Sequence, residues 1–233
     1  MSYIRKISAL LAIVLLSSCM KDETIQYNSI TMGNFVEGRF ISDNGHTFNI
    51  IESTIEPSDT LKRAIVSCDI LAQKGKDEYD IRLTGATPVF TKAPVDSTAV
   101  TDSAVFVENP LNIAEMWIAG GYINMQLLIP VKSGSEQVHL INLVRDDAVQ
   151  SEGTYDFTLK HNAYGETVTG PDSDFVLGAI HTSFPVSDIL KGDSAVVSIH
   201  WTSQELDETG WSTRTKRNTL RYEWTRGGFE HKF

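Results

Sequence analysis

Six histidines, two cysteines and two tight acidic clusters are the residues of this chain whose types suit chemistry, and their spacing limits what that chemistry can be. His46, His139, His161, His181, His200 and His231 form no His-x-His and no His-Glu-x-x-His, and no acidic run has calcium-loop spacing. No metal ligand or cofactor is therefore expected. Nucleophilic catalysis finds no Gly-x-Ser-x-Gly elbow and, beyond the N-terminal segment, no Ser-x-x-Lys. Asp146-Asp147 and Asp172-Ser173-Asp174 supply carboxylates of the kind a glycosidase uses, but those must stand about 5–10 Å apart across a sugar. Adjacency in sequence does not make that geometry, and both clusters sit beside turn residues as solvated loop charges. No catalytic residue is assigned, and the chain is expected not to be an enzyme.

The one cysteine with a chemical context is Cys19. Arg5 and Lys6 precede an apolar run from Ile7 to Leu16, and Leu16-Ser17-Ser18-Cys19 closes it. A basic flank, an apolar stretch of about ten residues and small residues before a cut are the parts of a secretory signal, and the run is too short to span a bilayer. The closing residues resemble the bacterial lipobox, in which cleavage precedes the cysteine and lipid is attached to it. The alternative is a plain secretory signal in which Cys19 is incidental. Each buried methylene contributes about 0.8 kcal/mol, so two or three acyl chains anchor a protein firmly. Lys21, Asp22 and Glu23 then resemble the lysine-plus-acidic export signal of surface lipoproteins in Bacteroidetes. The expected place is the outer membrane, lipid-anchored and facing the exterior, with the periplasmic face as the alternative.

The rest of the chain must be a body held by that anchor. Of its 233 residues 41% are apolar and 21% charged, the balance of an ordinary globular protein. Loss of Arg5 and Lys6 with the signal takes the formal net charge from −10 to −12. A nucleic-acid partner, which needs a basic face, is not expected. The organisation reads as residues 1–18 signal, 19–29 tether, 30–95 a small barrel and 103–233 a second domain, separated by the hydroxyl-rich stretch 91–103.

Strand signals dominate throughout. Residues 36–41 and 47–51 flank a loop with Asn44-Gly45, and residues 64–72 and 79–83 form a second pair. Tyr79, Ile81 and Leu83 share one face, and Cys68 shares parity with Val66 and Ile70, which makes it a small buried hydrophobe. Short strands at this density suggest an OB-like barrel. It carries ten acidic and seven basic residues between positions 27 and 101, a poor funnel for phosphates.

In the second domain Ile123, Met125, Leu127, Ile129 and Val131 alternate with Asn124, Gln126, Leu128 and Pro130. That strand is expected to end at Pro130, with residues 138–144 returning beside it. Tyr155, Phe157 and Leu159, then Ala195, Val197, Ile199 and Trp201, then Leu220, Tyr222 and Trp224 repeat the pattern. The fold class is all-β, a small OB-like barrel followed by an antiparallel β-sandwich.

Two places suit a ligand. Gly120-Gly121 fits a bulge or a close backbone approach, flanked by Trp117 and Tyr122, which read as packing or as a stacking platform. From Arg214 onward Arg214, Lys216, Arg217, Arg221, Arg226 and Lys232 face only Glu223 and Glu230. With Trp211 and Trp224 nearby, this is a solvated strand face or a patch for an anionic glycan or acidic protein.

The cysteine of the lipobox, Val36-Glu37-Gly38-Arg39, the run Trp117-Ile118-Ala119-Gly120-Gly121-Tyr122-Ile123-Asn124, residues 139–144, Leu159-Lys160-His161-Asn162 and Ser183-Phe184-Pro185-Val186 together resemble the NigD-like lipoproteins of Bacteroidetes. The resemblance implies an N-terminal OB-like domain, a C-terminal β-sandwich and the bacteriocin-immunity role proposed for the family. It carries over no catalytic or binding residue. A glycan-binding accessory role in an envelope uptake system is the alternative expectation, and a hydrolase the third.

Overall fold

The computed structural model describes residues 27–146, 153–168, 170, 174–207 and 210–226. Every regular element among them is a strand, apart from one short 3-10 turn at Ser103–Phe106.

Strands β1 (Tyr27–Val36), β2 (Arg39–Ser42), β3 (Thr47–Ser53), β4 (Arg63–Gly75) and β5 (Glu78–Pro88) close a barrel in the order β1-β2-β3-β5-β4. All its neighbouring pairs are antiparallel except β3 with β5. This is the OB-like barrel that the strand density suggests. Residues 36–41 are not one strand, however, because Glu37 and Gly38 turn the chain and Val36 pairs back on Arg39. Closure brings β2 hard against β1 at Gly33, where a Cβ would lie 2.1 Å from the Ile41 carbonyl oxygen. Alternate residues fill the interior: Phe40, Phe48, Val66, Cys68, Ile81 and Leu83 are buried, with Tyr79 packed at their margin. Burial pushes the Cys68 thiol up to about 11, with Asp69 adding to the effect, so Cys68 is a packing residue.

The stretch 91–103 is no free linker. β6 (Phe90–Thr91) and β7 (Val95–Asp96) are laid into the two sheets of the second domain, the first beside Thr182 and Ser183, the second beside Val144 and Arg145. Small hydroxyl residues carry no apolar pattern, yet their backbone groups still need partners, and a sheet edge offers them.

The second domain is a sandwich. Its further strands are β8 (Asn112–Ala119), β9 (Tyr122–Lys132), β10 (Leu140–Arg145), β11 (Thr154–Asn162), β12 (Phe175–Pro185), β13 (Ser194–Asp207) and β14 (Gly210–Thr225). One sheet runs β14-β13-β11-β10-β7 and the other β6-β12-β9-β8. The sheets are mixed rather than purely antiparallel, since β11 with β13, β7 with β10 and β6 with β12 are parallel pairs. Between them lie Ile123, Met125, Leu127, Ile129, Phe157, Leu159, Val197 and Ile199, the residues marked by period two. Two boundaries differ from expectation. β9 continues through Pro130, which lies beyond the end of β8 and so has a partner strand on one side only. Residues 138–144 do not return beside β9 but cross to the opposite sheet, where β10 pairs with β11 and β7.

Candidate functional site

The outward face of β9 explains how the two domains meet. Asn124 alternates with the core residues and reads as solvent-facing, yet it is fully buried, because the barrel sits on it. Arg63, the first residue of β4, reaches across the seam. It is bound to the Asp43 carboxylate by two parallel bonds, Nη1 donating at 2.9 Å and Nη2 at 2.6 Å. Its Nη2 also donates to Asn124 Oδ1 at 2.8 Å, its Nε to Ser183 Oγ at 2.8 Å, and its Nη1 to Asn34 Oδ1 at 3.3 Å. Asn124 Nδ2 returns a bond to Asp43 at 3.3 Å. The half-buried Tyr122 ring lies 3.8 Å from the carbon of the buried guanidinium, a cation–π contact. Burial pushes the Asp43 carboxyl up, while Arg63 and Asn124 pull it down.

The Gly120-Gly121 pair forms the two-residue turn between β8 and β9, with φ of +61° and +84°. That backbone suits the twist of a hairpin and excludes most side chains. Close approach excludes them too: a Cβ on Gly120 would stand 2.4 Å from Asp43 Oδ1. The Gly121 carbonyl accepts from the Val186 amide at 2.8 Å. The turn is thus wedged between barrel and sandwich. Gly120→Ala is expected to cost at least the ~1–2 kcal/mol of a left-handed backbone, because the methyl must also displace Asp43. Urea unfolding of the variant measures the loss.

Two concave spaces flank this turn. One, of about 350 Å3, is lined by Ile118, Val186, Leu190 and Trp224, with Arg226 at its rim. The other, of about 400 Å3, includes Asn34, Pro94, Tyr122, Pro185 and Asp188. The first joins the Trp224 side chain to Arg226, whose Nε stands 3.9 Å from Asp193 Oδ1, and suits an apolar or ring-shaped group. Among the described residues neither is lined by a histidine, and no group of three potential metal ligands forms.

The candidate ligand residues fall in different surroundings. Tyr122 is committed to Arg63, and Trp117, paired with Asn124, lies half-buried on the same face of the sheet. Arg214 and Lys216 share one face of β14 and Arg217 takes the other, so alternation divides the basic patch. Arg217 Nη1 donates to Glu108 Oε2 at 2.5 Å, and Glu108 also holds Lys160 and Thr202. Cys19, Lys21, Asp22 and Glu23 lie outside the described residues, as do Asp147, Asp172, Ser173, His231 and Lys232.

One cluster had no signal in the sequence. His139 and His161, on separate segments, meet with Nδ1 of the first 2.9 Å from Nε2 of the second. His161 Nδ1 faces the carbonyls of Asn109 and Pro110 at 3.3 and 3.2 Å and so carries a hydrogen, which leaves Nε2 as acceptor for His139. His139 Nε2 stands 3.5 Å from Glu166, whose other oxygen accepts from Ser135. Different ring nitrogens serve different neighbours, which makes this a chain of contacts rather than a chelate.

Barrel, mixed sandwich and polar seam define a two-domain all-β protein. A model of the NigD-like C-terminal beta sandwich domain matches residues 93–210, just over half the chain, and the protein belongs to the NigD-like family. Its fold is similar to solved structures of low identity. A NigD-like immunity protein from Bacteroides caccae is 16% identical with TM-score 0.55, covering 85% of this chain and 97% of that one. A candidate lipoprotein from Bacteroides fragilis is 14% identical with TM-score 0.60, covering 86% and 99%. A protein of unknown function from Bacteroides vulgatus is 18% identical with TM-score 0.60, covering 84% and 91%. No curated protein matches the chain.

Proposed function

We propose that this NigD-like protein is a lipid-anchored protein of the outer membrane, exposed to the exterior, which acts by binding another macromolecule and not by catalysis. The observation that carries the binding role is the division of its polar chemistry. Arg63, Asp43, Asn124 and Ser183 satisfy one another inside the seam, and the space beside it is lined by Trp224, Leu190 and Ile118 with Arg226 at the rim. Such a lining suits a ligand, and its Ser187 hydroxyl donates to the Gly121 carbonyl and not to a base. The anchor rests on Leu16-Ser17-Ser18-Cys19 and the exterior placement on Lys21, Asp22 and Glu23.

Immunity to a bacteriocin is the role this reading favours, supported by the name of the Bacteroides caccae relative. Deletion of the gene is expected to sensitise cells to a neighbour's toxin, and unchanged survival across a toxin panel refutes it. A glycan-binding accessory role has the Trp224 pocket in its favour, and glycan-array binding that depends on Trp224 would establish it instead. For the anchor, Cys19→Ser is expected to abolish incorporation of labelled palmitate. Equal labelling of parent and variant overturns the assignment.

A further inference from the structure

β14 ends the five-stranded sheet, and among the described residues no strand pairs with its outer side. Which of its backbone groups face that side follows from three bonds. The Val196 amide donates to the Gly153 carbonyl at 2.8 Å and the Thr202 carbonyl accepts from Leu111 at 3.0 Å, so even-numbered residues of β13 address the side of β11. Odd-numbered ones therefore address β14. The register, Val197 opposite Tyr222 and Ile199 opposite Leu220, assigns the even-numbered residues of β14 to that ladder. The Arg226 amide, bonded to Asp193 at 2.7 Å, continues it. The N–H and C=O of Thr215, Arg217, Thr219, Arg221, Glu223 and Thr225 consequently point outward.

Side chains sort the same edge. Tyr222 and Trp224 pack against the sandwich core but are only partly buried, and Trp224 shares the 350 Å3 pocket with Ile118 of β8, the edge strand of the other sheet. On the opposite face Arg221 is exposed and has no ion-pair partner among the described residues. β14 and the residue after it carry Arg214, Lys216, Arg217, Arg221 and Arg226 against Glu223, with Arg217 paired to Glu108 and Arg226 to Asp193, in a chain of net charge −10. A long edge without proline invites another strand, and its charge decides which strands are admitted.

We propose that the outer edge of β14 takes up an extended acidic segment of a partner protein as a sixth strand, its alternate apolar side chains directed between β14 and β8 toward Trp224. Main-chain bonds from the six outward residues hold the segment. Carboxylates on its solvent face lie beside Arg221, and the apolar positions on its inner face continue the row of Leu220, Tyr222 and Trp224. This rests on the reading of the protein as an interaction module and names the surface it uses.

The test uses the purified protein with a ten-residue peptide of alternating Glu and Val, and the same peptide with Lys for Glu. At saturation the Glu–Val peptide is expected to slow amide exchange at positions 215, 217, 219, 221, 223 and 225 by about tenfold or more, leaving the even-numbered amides unchanged. Thr219→Pro removes one outward N–H without touching the ladder to β13 and is expected to weaken binding by about tenfold. Arg221→Glu, which leaves the backbone intact, is expected to weaken the Glu–Val peptide and admit the Lys–Val one. Equal protection by both peptides, no protection, or protection by self-association in the absence of peptide overturns the proposal. If toxin sensitivity still follows gene deletion while β14 stays unprotected, the edge is refuted and the interaction role stands.

Discussion

Replacing Arg63 with alanine is expected to lower the free energy of unfolding by about 3–5 kcal/mol, the cost of leaving a buried charge without its partner. The Arg63 and Asp43 side chains are only 2% and 6% exposed, so the bonds that are lost are ones made away from solvent. Asp43 would keep only the 3.3 Å bond from Asn124, and Ser183 Oγ would lose its donor. The damage crosses the seam, because Asn124 and Ser183 belong to the sandwich while Asp43 and Arg63 belong to the barrel. Calorimetry is therefore expected to show the barrel melting ahead of the sandwich in Arg63→Ala. A variant that melts as late and as cooperatively as the parent contradicts this account of the seam. The charge itself costs desolvation, as the upward push on Asp43 shows. Arg63→Ala combined with Asp43→Ala is accordingly expected to lose less than the two single losses added together.

Much of this architecture is written in period two. The core faces of β9, β11 and β13 can be marked from Met125, Phe157 and Val197 alone, since an alternation with one face in a core has few other solutions. The seam is not legible in that way. Asn124 sits in a polar phase that normally means solvent, and only the arrival of a second domain makes it a buried acceptor. Arg63 looks like an ordinary strand-opening charge for the same reason. Residues 91–103 lack apolar pattern because edge strands satisfy backbone groups without contributing large side chains. The parallel pairing of β11 with β13 is equally silent, since period two records which face is buried and nothing of direction. Gly120-Gly121 was legible as a close approach but not as the hairpin turn it forms, and what it approaches, Asp43, lies 77 positions earlier.

The histidine pair yields the second large effect, and it is pH-dependent. His161 is 2% exposed, and burial, followed by the neighbouring His139, pushes it down to about 4. In the unfolded chain a histidine titrates near 6.5, so between about 6.5 and 4 the unfolded state takes up a proton that the folded state refuses. Stability is therefore complete above that window, falls as the pH drops through it, and by its lower end has lost about 3 kcal/mol. Glu166 acts in the same sense but later: the Ser135 hydroxyl holds its carboxyl below the ordinary value, so its contribution is lost only in more acid solution. Asp43 acts oppositely, because a carboxyl raised by burial favours the folded state as acid protonates it. Subtracting a variant isolates the histidine. His161→Gln can still donate to the Asn109 and Pro110 carbonyls but cannot be protonated. Its unfolding free energy, measured in urea at steps from pH 7.5 to 4, is expected to decline less steeply than the parent's. Parallel declines would mean that His161 gains its proton in the fold as readily as in the open chain, and the buried pair would then have no part in acid sensitivity.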